Sequence, residues 1–190
     1  MASVGPFAFG GSDYSGSFTE DGGSLTETGG KLDSDGASSI NRAHVTTTMD
    51  TAAHWAQATI GGRNTSNHGA VYCRHATAGT DTMYECVMTE DSAADGHRIR
   101  YVSGGSEANV DTAASTTGAK VFKLIVADSS QEGWIDGSND LSGTDANITS
   151  GALIGVRVWH NNGGRFDDFS GADTAAAGAG GSMMLMGVGT

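Results

Sequence analysis

Proline occurs once in 190 residues, at Pro6, and cysteine twice. One proline excludes a proline-rich rod or linker. Two cysteines build no disulfide scaffold and cannot alone complete a four-ligand zinc site. Cations are scarce, with 10 Lys plus Arg against 22 Asp plus Glu and a formal charge of −12. Nucleic acid and anionic membranes both require clustered cations, so neither is an expected partner. No apolar run approaches the roughly 18 residues that span a bilayer. No basic segment precedes an apolar one at the start, so no signal peptide is expected. The six histidines show no H-x-x-x-H or other zinc spacing. Gly-rich stretches precede strands rather than helices, which excludes a phosphate loop or dinucleotide fingerprint.

Glycine is abundant, 30 of 190 residues, but without the three-residue period of collagen. Glycines at irregular intervals between short apolar runs mark many turns, hence an all-β chain. The length suits one domain with a core of its own. Residues 151–170, GALIGVRVWHNNGGRFDDFS, are the organising stretch. Ile154, Val156 and Val158 point to one face, while Gly155, Arg157 and Trp159 point to the other. The run 160–164, rich in Asn and Gly, reads as a tight turn, with Arg165 to Phe169 returning as a second strand.

Alternation predicts further strands over 43–49, 54–60, 98–102 and 120–127, the last with Phe122, Leu124 and Val126 as core. Residues 133–135 run as a strand into an Asp136-Gly137 turn, and 139–150 read as a polar loop. Residues 70–75 and 83–88 read as a hairpin. Pairing symmetric about its loop sets Val71 opposite Met88, Cys73 opposite Cys86 and His75 opposite Tyr84. Opposed residues lie about 4.5–5.5 Å apart, within disulfide range. A Cys73–Cys86 bridge and two reduced thiols are both open readings.

In order along the chain stand Trp55, Arg74 with Tyr84, the apolar strand 121–126, Asp136-Gly137, Asp145, Gly151 with Gly155, and Asp168-Phe169. This ordered set resembles concanavalin A-like lectin/glucanase (laminin-G-like) domains over roughly two-thirds of the chain. The resemblance implies a two-sheet antiparallel jelly-roll sandwich. It divides the chain into an N-terminal arm, 1–11, a jelly roll, 12–171, and a flexible linker with an apolar C-terminal arm, 172–190.

The glucanases of that family carry a Glu-x-Asp-x-x-Glu strand, and no such motif occurs here, so no enzymatic activity and no catalytic residue is expected. A sugar-binding face is the alternative. Trp159 could stack on a sugar ring while Arg157 bonds hydroxyls, with Trp134 and Tyr101 contributing. Burial of Trp159 under a loop or a neighbouring subunit is the competing reading. No cofactor is required. Asp167 and Asp168 offer a calcium site or a structural turn. Asp33 begins a sequence like a calcium loop, but the position eleven residues on is His44 rather than Glu, which favours a turn.

The ends are apolar. Phe7 and Phe9 lie in the N-terminal arm. Met183, Met184, Leu185, Met186 and Val188 close the chain after a Gly/Ala-rich segment. An exposed apolar tail is an aggregation hazard, so docking on the domain or on a neighbour is expected. In its Gly/Ala/Ser/Thr-rich body and terminal arms the chain also resembles virion proteins of tailed bacteriophages. That likeness implies a non-enzymatic, capsid-associated decoration or cement protein, made in the host cytoplasm. Its partners would be further copies of itself or the major capsid protein.

Overall fold

The computed structural model describes residues 1–9, 13–34, 40–62, 68–76, 80–89, 96–116, 118–159 and 164–174. Side chains at 13, 34, 62, 68, 89, 159 and 164 are likewise outside the description. In chain order the elements are β1 (Ser3–Phe7), α1 (Asp13–Ser17), β2 (Phe18–Gly22), β3 (Leu25–Glu27), β4 (Leu32–Ser34), β5 (Ile40–Val45), β6 (His54–Gly62) and β7 (His68–His75). There follow β8 (Thr82–Thr89), β9 (His97–Ser103), β10 (Ser106–Ala113), β11 (Lys120–Ala127), β12 (Ser130–Ile135), β13 (Ser138–Thr144), β14 (Leu153–Trp159) and β15 (Gly164–Asp173).

Two antiparallel sheets form the predicted sandwich. One has the order β13-β12-β11-β6-β15-β4-β3, with β1 also paired to β15, and the other is β10-β9-β8-β7-β14-β5-β2. Ala56, Ile60, Phe122, Leu124 and Phe166 of the first sheet meet Val71, Tyr84, Met88, Ile154 and Val156 of the second in one continuous core. Each fully buried Phe, Leu or Ile contributes about 1.5–3 kcal/mol relative to exposure. The alternation that predicted Phe122, Leu124 and Val126 as core holds, because all three are completely buried. The β12–β13 turn has φ of 49° at Asp136 and 86° at Gly137, the paired positive values of a type I′ hairpin. Among the described residues no helix is long and apolar enough to cross a membrane.

Several expectations need correction. The stretch 151–170 is not a hairpin, because β14 belongs to the seven-stranded sheet and β15 to the other. Its two strands face each other across the core, with Ile154 and Phe169 both fully buried. The hairpin of β7 and β8 exists, but its register is two residues from the symmetric one. Cys73 pairs with Tyr84 and Val71 with Cys86. Same-face diagonal neighbours stand about 7–8 Å apart, too far for a disulfide. Both cysteines are free and buried. Residues 139–144, expected as loop, belong to β13 (Ser138–Thr144) instead.

The N-terminal arm packs on the body of the domain. β1 pairs with β15, matching Ser3 to Ala172 and Phe7 to Phe169. Phe7 and Phe9 both pack on Phe18, with ring centroids 5.4 and 5.7 Å apart. Asp173 fixes the arm by accepting from the Ala2 N–H at 2.6 Å. Met183, Met184, Leu185, Met186 and Val188 lie outside the described residues.

Candidate functional site

In a two-sheet sandwich the inner faces make the core, and the outer faces are where a ligand can be met. The outer face of the seven-stranded sheet is unusual here, because Arg42, His44, Glu85, Arg100 and Arg157 on it are buried. They are placed by simple alternation. Core residues Ala43 and Val45 leave Arg42 and His44 facing outward on β5. Likewise Glu85 lies between Tyr84 and Cys86 on β8, and Arg157 between Val156 and Val158 on β14.

Glu85 is the centre of one cluster. Its Oε1 accepts from Arg157 Nη1 at 2.8 Å and its Oε2 from Arg100 Nε at 2.7 Å. Arg157 lies opposite Ala70 of β7, whose small side chain leaves room for the guanidinium to cross towards β8. Glu107 closes the cluster from β10, bonding Arg100 Nη1 and standing 3.5 Å from Arg157 Nη2. The Glu85 side chain is wholly buried, while that of Glu107 is 38% exposed at the rim.

Asp21 is the centre of a second cluster. Its Oδ2 lies 2.7 Å from His44 Nδ1, 3.6 Å from His75 Nδ1 and 3.9 Å from Arg42 Nε. Arg42 Nη1 also bonds Asp81, whose carboxylate is 37% exposed. Both Asp21 and His75 are aimed by irregularities in the ladder. The β2–β5 register shifts between Glu20 and Gly22, making Asp21 the extra residue. On β7, Arg74 takes φ of 53°, so His75 joins Tyr72 on the outer face, the two rings 5.4 Å apart. β-Bulges redirect side chains in this way. Between the clusters Tyr72, Met83 and Val102 form a small apolar group, separate from the main core. Gly155 makes room for Tyr72, since a Cβ there would lie 2.6 Å from Oη.

Of the residues expected to bind sugar, Arg157, Trp134 and Tyr101 do not come together. Arg157 is on this face but is 2% exposed and engaged by Glu85. Trp159 ends the same strand, and its side chain lies outside the described residues. Trp134 is on the outer face of the opposite sheet, where its Nε1–H donates to Glu132 at 2.9 Å. Tyr101 packs against the core. The expected calcium pair is likewise not assembled. Asp167 forms an ion pair with Lys31 at 3.0 Å, and Asp168, exposed and at φ 51°, donates its N–H back to Asp167 Oδ1. Asp33 is buried and accepts from Arg165 Nε at 3.0 Å.

Arg42, Glu85, Arg100 and Glu107 were missed by sequence reasoning. The available signal was a charge set between apolar neighbours in a strand, as in MYECVM (83–88) and RIRYV (98–102). The clustering of Asp21, His44 and His75 has no local signal, because the three come from β2, β5 and β7.

One concavity lies elsewhere, at an end of the sandwich. It holds about 430 Å³ and is lined by Thr51, Ala53, Arg74, Asp128, Ser129 and Thr149 among others. Arg74 is structural there, donating to the carbonyls of Ala52, Asp128 and Ile148 at 2.6–2.9 Å.

Neither a family model nor a curated protein matches the sequence. Solved structures do match in fold. The carbohydrate binding module CBM66 from Bacillus subtilis is 14% identical, covering 82% of this chain and 91% of that one, with a TM-score of 0.62. The carbohydrate recognition domain of Emp47p is 11% identical, covering 91% and 95%, at 0.58. The Bacillus licheniformis β-glucanase is 10% identical, covering 88% and 96%, at 0.61. These likenesses establish the fold as the concanavalin A-like jelly roll.

Proposed function

We propose that the chain is a non-enzymatic carbohydrate-binding module whose contact face is the outer face of the seven-stranded sheet. One observation carries the reading. Two part-exposed rim carboxylates, Asp81 and Glu107, are each held by a largely buried guanidinium, Arg42 and Arg100. Carboxylates fixed in advance accept sugar hydroxyls without paying to be ordered. The fold shared with a carbohydrate binding module and a carbohydrate recognition domain supports the same reading. Arg157 and Glu85 are positioning groups beneath that rim.

The test is a glycan array followed by calorimetry on the best ligand. Asp81→Asn and Glu107→Gln should each weaken binding at least tenfold. Trp134→Ala, on the opposite sheet, should leave it unchanged. Loss of binding in Trp134→Ala alone would move the site to the other face.

A second reading, a virion decoration or cement protein, is favoured by the sequence of the C-terminal arm, an apolar run after a Gly/Ala-rich segment. Light scattering on the full chain and on a chain ending at Thr174, which keeps β15 whole, tests it. A defined oligomer that becomes a folded monomer on truncation supports assembly. A monomer in both forms removes self-assembly through the arm.

A further inference from the structure

The cluster around Asp21 contains an arrangement that the ion pairs do not explain. His75 Nε2 lies 2.7 Å from the Thr80 carbonyl oxygen. A carbonyl only accepts, so Nε2 carries the proton and Nδ1 presents a lone pair in the neutral ring. That Nδ1 is buried and has no hydrogen-bond partner. It stands 3.6 Å from Asp21 Oδ2, with the His75 ring wholly shut from solvent. Asp21 Oδ1 is also buried without a partner. A lone pair facing a carboxylate in a dry site is repulsive unless positive charge lies between them. At 3.6 Å the two atoms are too far apart to share a proton in a hydrogen bond.

His44 adds the third donor, its Nδ1 2.7 Å from the same Asp21 oxygen. One ligand atom from each of the three residues lies within 4.8 Å of the others. A tetrahedral ion with bonds near 2.0–2.1 Å spaces its ligands about 3.3 Å apart, so the three need small displacements to close on one ion. Two imidazoles and one carboxylate are a donor set for a borderline divalent transition metal such as zinc or cobalt, and not for calcium, which takes oxygen ligands. Arg42, whose Nε stands 3.9 Å from Asp21 Oδ2, opposes the added charge, and its second partner Asp81 offsets that repulsion.

We propose that Asp21, His44 and His75 bind one divalent transition-metal ion. The ion joins β2, at the sheet edge, to β5 and β7, so its binding energy adds to the stability of the fold.

The test uses the full chain, stripped with a chelator and titrated with cobalt(II) and with zinc(II). Expected are one equivalent per chain, the intense visible absorption of a low-coordinate cobalt site, and a rise of several degrees in Tm with saturating zinc. His44→Gln and His75→Gln should each lower zinc affinity at least tenfold, and His97→Gln should leave it unchanged. Equal binding in all three variants, or a cobalt spectrum no stronger than the aqueous ion, would overturn the proposal. The wild-type cobalt titration decides alone if the variants do not fold.

Discussion

Arg157 and Glu85 are joined at 2.8 Å across β7, with both side chains at most 2% exposed. Glu85 also serves Arg100, so one carboxylate holds two guanidiniums. Removing it leaves two positive charges facing each other with little water to screen them. Glu85→Ala should therefore destabilise the fold by about 3–5 kcal/mol, the usual loss when one partner of a buried pair is deleted. Glu107→Gln, at the exposed rim, should cost below about 1 kcal/mol. Urea unfolding followed by tryptophan fluorescence separates the two. Equal losses would mean that the cluster does not have its centre at Glu85.

The two thiols give a second prediction. Burial pushes Cys86 up to about 12 and Cys73 well above the ordinary thiol range. Reactivity belongs to the thiolate, so neither should react in the folded chain near neutral pH. An aromatic disulfide reagent should count no thiol in the native protein and two after guanidinium is added. None after unfolding would restore the bridge that the register excludes.

What the sequence made legible follows the strength of local patterning. The run KVFKLIVA and the Asp136-Gly137 turn encode a strand and a hairpin within a few residues, and both form as expected. β10 and β13 escaped because both lie at sheet edges with mostly exposed or half-exposed side chains, and so lack a buried stripe. The β7–β8 pairing was legible, whereas the bulge at Arg74 that fixes its end was not. Left-handed backbone at an arginine is set by three distant carbonyl partners. The candidate site failed for the same reason. Arg157 was correctly placed outward, yet its partner Glu85 is 72 residues away.

Acid should weaken the fold through two buried histidines outside the proposed metal trio. His54 Nδ1 lies 2.9 Å from the Thr51 carbonyl, leaving Nε2 to accept the Arg74 N–H at 2.9 Å. His97 Nε2 accepts the Thr116 N–H at 3.0 Å. Burial lowers both pKa values below the ordinary 6.5. The unfolded chain thus takes up protons near pH 6.5 that the folded chain refuses. Their contribution is complete above that value and is lost as pH falls towards the folded pKa. Urea midpoints should be lower at about pH 5.5 than at about pH 7.5, and His97→Gln should reduce the difference. A pH-independent midpoint would show that the two rings are not held neutral.

The bulge that aims His75 depends on Gly151. This glycine has φ of +128°, and a Cβ on it would lie 2.4 Å from the Arg74 carbonyl oxygen and 3.0 Å from Arg74 Cα. Those are backbone atoms that cannot rotate away. Gly137 is the useful contrast, with φ of +86° and nothing within 4 Å of its Cβ position. Gly137→Ala should cost only the left-handed backbone penalty, about 1–2 kcal/mol. Gly151→Ala carries a comparable penalty and must also displace Arg74, whose guanidinium ties three carbonyls at that end of the sandwich. It should therefore cost more than Gly137→Ala in urea unfolding. Because His75 follows Arg74 directly, Gly151→Ala should also weaken zinc binding, whereas Gly137→Ala should not. Equal destabilisation with zinc affinity intact in both would show that the Arg74 bulge is not what positions His75.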